Sequence, residues 1–277
     1  MAEPAADARP AVTATEEARD RLTARGPLAL DRGGAGERIR TVVVDDHDDI
    51  ARLVAGRIAA LIRAHAAEGR STVLGLATGS TPLGVYRELV RMHRDQGLSF
   101  ATVVTFNLDE YFPMRPDSIH SYRRFMWDNL FSQIDIAAGN VHIPDGSVSE
   151  DEAGQMAAAY ERAIADAGGI DFQILGIGMT GHIGFNEPGS GADARTRLVV
   201  LDRVTRRAAA ADFFGEENVP VEAVTMGVAT ILESREIALI ATGEHKAAVV
   251  KRLVEGEVGP MAAAYERAIA DAAARSA

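Results

Sequence analysis

Residues 170–190 read Ile170-Asp-Phe-Gln-Ile-Leu-Gly176-Ile-Gly-Met-Thr-Gly-His182-Ile-Gly-Phe-Asn-Glu187-Pro-Gly-Ser190. The apolar run from Ile170 to Leu175 has the length and composition of a buried strand. The stretch from Gly176 to Ser190 is too rich in glycine for either helix or strand. Glycines at 176, 178, 181 and 184 let the backbone approach a ligand closely and adopt φ > 0. One imidazole, His182, and one carboxylate, Glu187, stand five residues apart in this loop. The imidazole can move a proton near neutral pH, and the carboxylate can orient it or share the task. A solvated glycine-rich turn has the same composition, so the loop needs company before it reads as a site.

Two other loops supply it. Val73 to Ala77 is a short apolar strand that runs into Thr78-Gly79-Ser80-Thr81, with Pro82 where a helix should start. Pro suits the first helical position and Thr81 suits the N-cap. The helix continues through Val85, Leu89 and Met92. Backbone N–H groups, hydroxyls and the positive end of a helix dipole then converge, as a phosphate cradle requires. The Gly-Lys-Ser/Thr of a nucleotide P-loop and the full Gly-x-Gly-x-x-Gly fingerprint are both missing, which argues against ATP and NAD. The second loop ends Val103-Val-Thr-Phe-Asn-Leu-Asp109-Glu110-Tyr111, a strand leading into adjacent carboxylates. Neighbours on an extended chain face opposite ways, so only one of the pair needs to face a site, and Asp109 is the better general base.

Strand and helix patterns alternate from residue 40 onward. Val42 to Val44 reads as a strand, and the helix after it carries Ile50, Val54, Ile58 and Ile62 on one face. Further strands are expected at 73–77, 103–106, 170–175, 198–201 and 237–241. Helices are expected near 82–95, 118–131, 149–167, 221–232 and 244–255. This is the pattern of an α/β fold: a mostly parallel, doubly wound, Rossmann-like sheet with helices on both faces. Three chemically equipped loops at the C-terminal ends of strands fit the edge where such sheets bind ligands.

Composition narrows the function. The chain has 277 residues, 47% of them hydrophobic, enough for one large core. There is no run of apolar residues long enough to span a bilayer, so no membrane partner is expected. The absence of cysteine removes disulfides, thiolate metal sites and a cysteine nucleophile, and suits a reducing cytoplasm. Seven scattered His suggest no metal site. A net charge of -11 speaks against nucleic acid. An anionic ligand must therefore be captured by local donors against the global field.

The ordered motifs resemble the glucosamine-6-phosphate deaminase (glucosamine-6-phosphate isomerase) family. The segments that carry the resemblance are 74–82, 105–111, His120-Ser-Tyr-Arg-Arg-Phe-Met126 and Gly181 to Ser190, then Thr225-Met-Gly-Val-Ala-Thr-Ile231 and Gly243-Glu-His-Lys-Ala247. The resemblance implies conversion of glucosamine 6-phosphate and water to fructose 6-phosphate and ammonia, without a cofactor. It assigns the base to Asp109 and ring opening to His182 supported by Glu187. It places the phosphate on Thr78, Gly79, Ser80 and Thr81 with Lys246, in a pocket shaped by Glu110, Tyr111, Thr180, Gly181 and Asn186. The partner implied is a small-molecule sugar phosphate, and a homo-oligomer is left open. A related sugar-phosphate isomerase or lactonase, or a sugar-phosphate sensor with weak catalysis, remain alternatives. Two positions depart from the family. Thr180 stands where an acid usually precedes the Gly-His pair, and Ala211-Asp212 stand where an arginine usually precedes Phe213-Phe214, leaving Arg195, Arg206 or Arg207 to substitute.

Both ends of the chain read differently from its middle. Residues 1–39, rich in Ala, Pro and Gly with acids and arginines in balance, read as a disordered N-terminal tail without a signal-peptide core. The deaminase-like domain is expected over 40–260. Met156-Ala-Ala-Ala-Tyr-Glu-Arg-Ala-Ile-Ala-Asp-Ala167 recurs letter for letter as Met261 to Ala272. The second copy makes 261–277 a helical tail with a thin apolar face, in place of the strand the family would place there.

Overall fold

The computed structural model describes residues 41–255; the expectations for 1–39 and for the second copy at 261–277 fall outside them. The first element is α1 (His47–Ala67), opened by the Asp46 carboxylate, which accepts from the Asp49 amide at 2.7 Å. Ala51, Val54, Ala55, Ile58 and Ile62 form its buried stripe, the spacing the sequence shows. Strand β1 (Thr72–Leu76) and helix α2 (Leu83–Gln96) come next, and Gly97 ends α2 at φ 65°. They lead to β2 (Val103–Asn107), β3 (Asp109–Phe112), α3 (Tyr122–Asn129) and β4 (Val141–His142). Helix α4 (Glu150–Asp166) starts at a capping box in which Ser149 and Glu152 satisfy each other's amides. The remainder is β5 (Phe172–Gly176), β6 (Arg197–Val200), α5 (Arg203–Ala209), β7 (Glu222–Thr225), α6 (Val228–Leu232), β8 (Glu236–Ile240) and α7 (Ala247–Glu255).

The central sheet has five strands in the order β4-β2-β1-β5-β8, and every pairing in it is parallel. Parallel strands need crossovers and bury both faces, which is why β1 is buried at every residue. On one face Phe106 stacks on His142 and meets Tyr160 of α4 edge-on, while the Tyr160 hydroxyl donates to the Asn107 carbonyl at 2.7 Å. Glu236 of β8 holds Arg57 of α1 through a two-toothed ion pair with a shortest contact of 2.7 Å. The α/β class and the mostly parallel sheet thus agree with the sequence reading.

A second sheet departs from it. Strands β3, β7 and β6 form a separate antiparallel trio, with Asp109 opposite Thr225 and Arg197 opposite Thr225 on the other side. The sequence pattern places 198–201 in the parallel sheet and 221–232 in one helix. The latter is instead β7 and the short α6, because Glu222–Thr225 gains ladder bonds on both sides that a helix would forfeit. Val42–Val44 is not a strand: among the described residues no sheet pairing involves it, and Val43 is 63% exposed. Pro82 itself, not Thr81, occupies the N-cap of α2, with no side-chain cap bond. These differences matter because the second sheet carries Asp109 to the edge where β1 and β5 end.

Candidate active site

The loop after β5 folds on itself. The Gly178 amide donates to the His182 carbonyl at 2.8 Å, and Gly181 turns the chain at φ 92°. His182's ring lies directly over Gly178: a Cβ there would sit 2.1 Å from Nε2 and 2.4 Å from Cδ2. The imidazole is thus seated on bare backbone, with only hydrogen where any other residue would have a side chain.

His182 Nδ1 faces two oxygens. Thr180 Oγ1 is hydrogen-bonded to it at 2.9 Å, and Glu187 Oε2 lies 3.1 Å away. The Glu187 contact is off the hydrogen-bond line, so Oε2 is buried without a hydrogen-bond partner. The other oxygen, Oε1, accepts from the Thr205 hydroxyl on α5. One ring nitrogen between a hydroxyl and a carboxylate can hydrogen-bond with the first and share its proton with the second, which suits a group that must change protonation state during a reaction.

Asp109 approaches the same loop from the second sheet. A Cβ on Gly184 would lie 3.4 Å from Asp109 Oδ2 and 3.0 Å from Thr225 Oγ1. Gly184 takes φ 55°, and the next amide, Phe185 N, donates to Thr225 Oγ1 at 3.1 Å. The loop is thereby docked on β7, with the Asp109 carboxylate beside a glycine two positions after His182. Burial pushes the Asp109 carboxyl up to about 8, and the neighbouring Glu110 charge adds to the shift. A carboxylate of that basicity is matched to proton abstraction near neutral pH.

Glu110 is spent differently. Its Oε1 accepts from the amides of Tyr111 at 3.0 Å and Tyr122 at 2.9 Å, and its Oε2 from Arg123 at 3.1 Å. It anchors the N-terminus of α3, a favourable place for a negative charge. Burial raises its carboxyl to about 7 while those amides hold it down. Asn186 is likewise committed to scaffolding. Its amide donates to the carbonyls of Ile183 at 3.0 Å and Met226 at 2.8 Å, and its oxygen accepts from Arg197 at 2.9 Å.

The expected phosphate loop lies at the end of β1. Gly79, at φ 98°, and Ser80 are exposed, and Thr78 and Thr81 half-buried. The half-buried Tyr122 stands between this loop and Tyr111 of β3. Tyr111 packs in an aromatic group with ring centroids 5.0 Å from Tyr122, 5.3 Å from Phe185 and 4.8 Å from Phe213. Lys246 sits in the turn before α7, makes no ion pair among the described residues, and burial lowers its pKa. Helix α7 reaches the His182 loop, since a Cβ on Gly181 would touch Val249 at 3.7 Å. Of the three arginines offered as phosphate partners, Arg195 is engaged by Glu233 and Arg207 by Glu216 at 3.4 Å. Arg206 alone is left, with a buried Nε that has no partner.

The structure therefore gathers Asp109, Gly181, Thr180, His182 and Glu187. Sequence reasoning missed Thr205, Thr225 and Tyr122. Thr225 and Tyr122 lie inside family-like segments, but nothing near Thr205 in the sequence signals its contact with Glu187.

Comparison with known proteins gives the family. Residues 45–272 match the family described as glucosamine-6-phosphate isomerases/6-phosphogluconolactonase. Glucosamine-6-phosphate deaminase of Rhodopirellula baltica is 49% identical over 222 residues, covering 80% of this chain and 86% of that protein. Glucosamine-6-phosphate deaminase 2 of Giardia intestinalis is 48% identical over 228 residues, covering 81% and 83%. A solved monomeric glucosamine-6-phosphate deaminase superposes with a TM-score of 0.76 at 38% identity, covering 81% of this chain and 91% of its own. A 6-phosphogluconolactonase from Thermotoga maritima shares the fold at TM-score 0.60 and 24% identity, covering 81% of this chain and 92% of its own. The chain belongs to the glucosamine-6-phosphate isomerase/6-phosphogluconolactonase family.

Proposed function

We propose that this member of the family deaminates glucosamine 6-phosphate, giving fructose 6-phosphate and ammonia in amino-sugar catabolism. The observation that carries the reading is the meeting of Asp109, a buried carboxyl raised to about 8, with the loop that holds the His182–Glu187 pair. In this reading His182 moves the proton between the ring oxygen and the anomeric hydroxyl, opening the sugar, and Glu187 stabilises the imidazolium formed on the way. Asp109 then takes the C2 proton as the C1 carbonyl becomes an enol, and returns it at C1. The C2–N unit is left as an imine, water adds to it, and ammonia leaves. One base that serves both carbons needs no cofactor. The phosphate rests on the backbone and hydroxyls of 78–81 with Lys246 as counter-charge.

The names of the deaminase relatives support the substrate. Absence of cysteine from the sequence supports a reducing compartment, the cytoplasm. Among the described residues no helix is long and apolar enough to cross a membrane. The test is ammonia release across a panel of hexosamine and hexose phosphates. Release from glucosamine 6-phosphate with fructose 6-phosphate formed in equal amount is the expected result. Turnover of a lactone, or tight binding of the amino sugar without ammonia, would replace this reading with a lactonase or a sensor.

A further inference from the structure

We infer that Thr205 is a positioning residue for the ring-opening pair, acting on His182 through Glu187. The inference rests on the proposed roles of His182 and Glu187. Glu187 lies on a loop, with Pro188 next to it and Gly189 at φ 100° beyond, so its own backbone gives its side chain little guidance. Among the described residues, one side-chain hydrogen bond fixes its rotamer. The Thr205 hydroxyl donates to Oε1, and with Oε1 held, Oε2 is left 3.1 Å from His182 Nδ1. A competitor for that nitrogen is already in place, the Thr180 hydroxyl at 2.9 Å. Without a fixed carboxylate the imidazole would stay with Thr180, a neutral group that stabilises an imidazolium poorly.

Thr205 is well built for the task. It is 8% exposed, so water does not replace it as a partner of Oε1. It is β-branched and lies within α5, where few side-chain rotamers are open to it. Helix α5 is itself pinned at both ends. The Asp202 carboxylate caps it, accepting from Val204 N at 2.7 Å, and Arg203 and Arg207 both reach Glu216 at 3.3 Å and 3.4 Å. The segment after α5 carries Phe213 onto Tyr111 of the second sheet, with centroids 4.8 Å apart. The orientation of Glu187 is in this way referred to the same sheet that presents Asp109, so the two parts of the site share one frame.

The test pairs Thr205→Val, which keeps the shape and loses the hydroxyl, with Thr205→Ser, which does the reverse. Two measurements are made: kcat/KM for glucosamine 6-phosphate as a function of pH, and the ¹⁵N shifts of the His182 ring, which report the nitrogen that carries the proton. Thr205→Val is expected to lose about tenfold in kcat/KM, the worth of one hydrogen bond to a charged group, mostly in kcat. Its pH–rate profile and His182 ¹⁵N shifts should move, and Thr205→Ser should restore both. Unchanged ¹⁵N shifts in Thr205→Val, or equal damage from Val and Ser, would overturn the inference in favour of packing alone. The ring measurement needs no substrate, so it decides the role of Thr205 even if the wild-type protein releases no ammonia and the proposed function itself fails.

Discussion

Gly178→Ala is expected to separate catalysis from folding. The backbone at 178 does not require glycine, since its φ is outside the left-handed region, so alanine adds no local strain. The added methyl would stand 2.1 Å from His182 Nε2, 2.3 Å from Cε1 and 2.4 Å from Cδ2. Carbon and ring atoms normally approach no closer than about 3.5 Å, so the ring must move by more than roughly 1 Å. It cannot move as a free side chain, because Thr180 holds Nδ1 at 2.9 Å and Glu187 lies 3.1 Å from it. A displacement of this size at a reacting group costs about 10²-fold in rate. The colliding atoms belong to a partly exposed loop, however, and the core is untouched. The expected outcome is a fall in kcat/KM of about 100-fold with a melting temperature within roughly 2 °C of wild type, below the shift of 1 kcal/mol for a domain of this size. Steady-state ammonia release and a thermal melt on the same preparation check it. Near-normal turnover would mean that the imidazole does not act from where it lies over Gly178.

Burial of Asp109 makes a pH-dependent pair of expectations. Its folded value of about 8 stands above the usual aspartate range, so the folded protein binds a proton that the unfolded chain has lost, and stability falls as pH rises from about 4 to about 8. Asp109→Asn should therefore lower ammonia release by about 10²–10⁴-fold, yet raise the melting temperature at pH 8 by roughly 5–10 °C and hardly at all at pH 4. A uniform change across pH would contradict the assigned burial cost. In the wild type, the acid limb of kcat/KM against pH should fall near 8, and a limb near the ordinary aspartate value would show Asp109 ionised in the free enzyme. Gly154→Ala, at an exposed position inside α4 with no atom within 4 Å of the new methyl, should add about 0.5–1 kcal/mol in urea unfolding without touching activity. Arg57→Met removes the partner of half-buried Glu236 between α1 and β8 and should cost about 2 kcal/mol, read the same way, with turnover at low temperature preserved.

Local sequence is enough to specify four of the five strands of the parallel sheet; the two-residue β4 carries too little pattern to show. Buried strands such as Val73–Ala77 and helices such as 47–67 announce themselves through apolar spacing, and glycine, proline and hydroxyl residues mark the loops between them. Those loops fall at one edge of a parallel sheet for topological reasons, so Thr78–Thr81, Asp109 and His182–Glu187 are legible as a group from the residues alone. The second sheet comes from long-range pairing. Strands β3 and β7 have four residues each and form because Asp109 and Thr225, more than a hundred residues apart, meet across a ladder. Val42–Val44 shows the converse, a strand-like composition with no strand paired to it among the described residues. The same holds within the site. Asp109 and Glu110 are adjacent and chemically alike, and the fold alone sends one beside the His182 loop and the other to the N-terminus of α3. Thr205 is one more hydroxyl until the chain brings it to Glu187, because a hydrogen bond depends on where two groups end up in space, and local sequence carries no record of that.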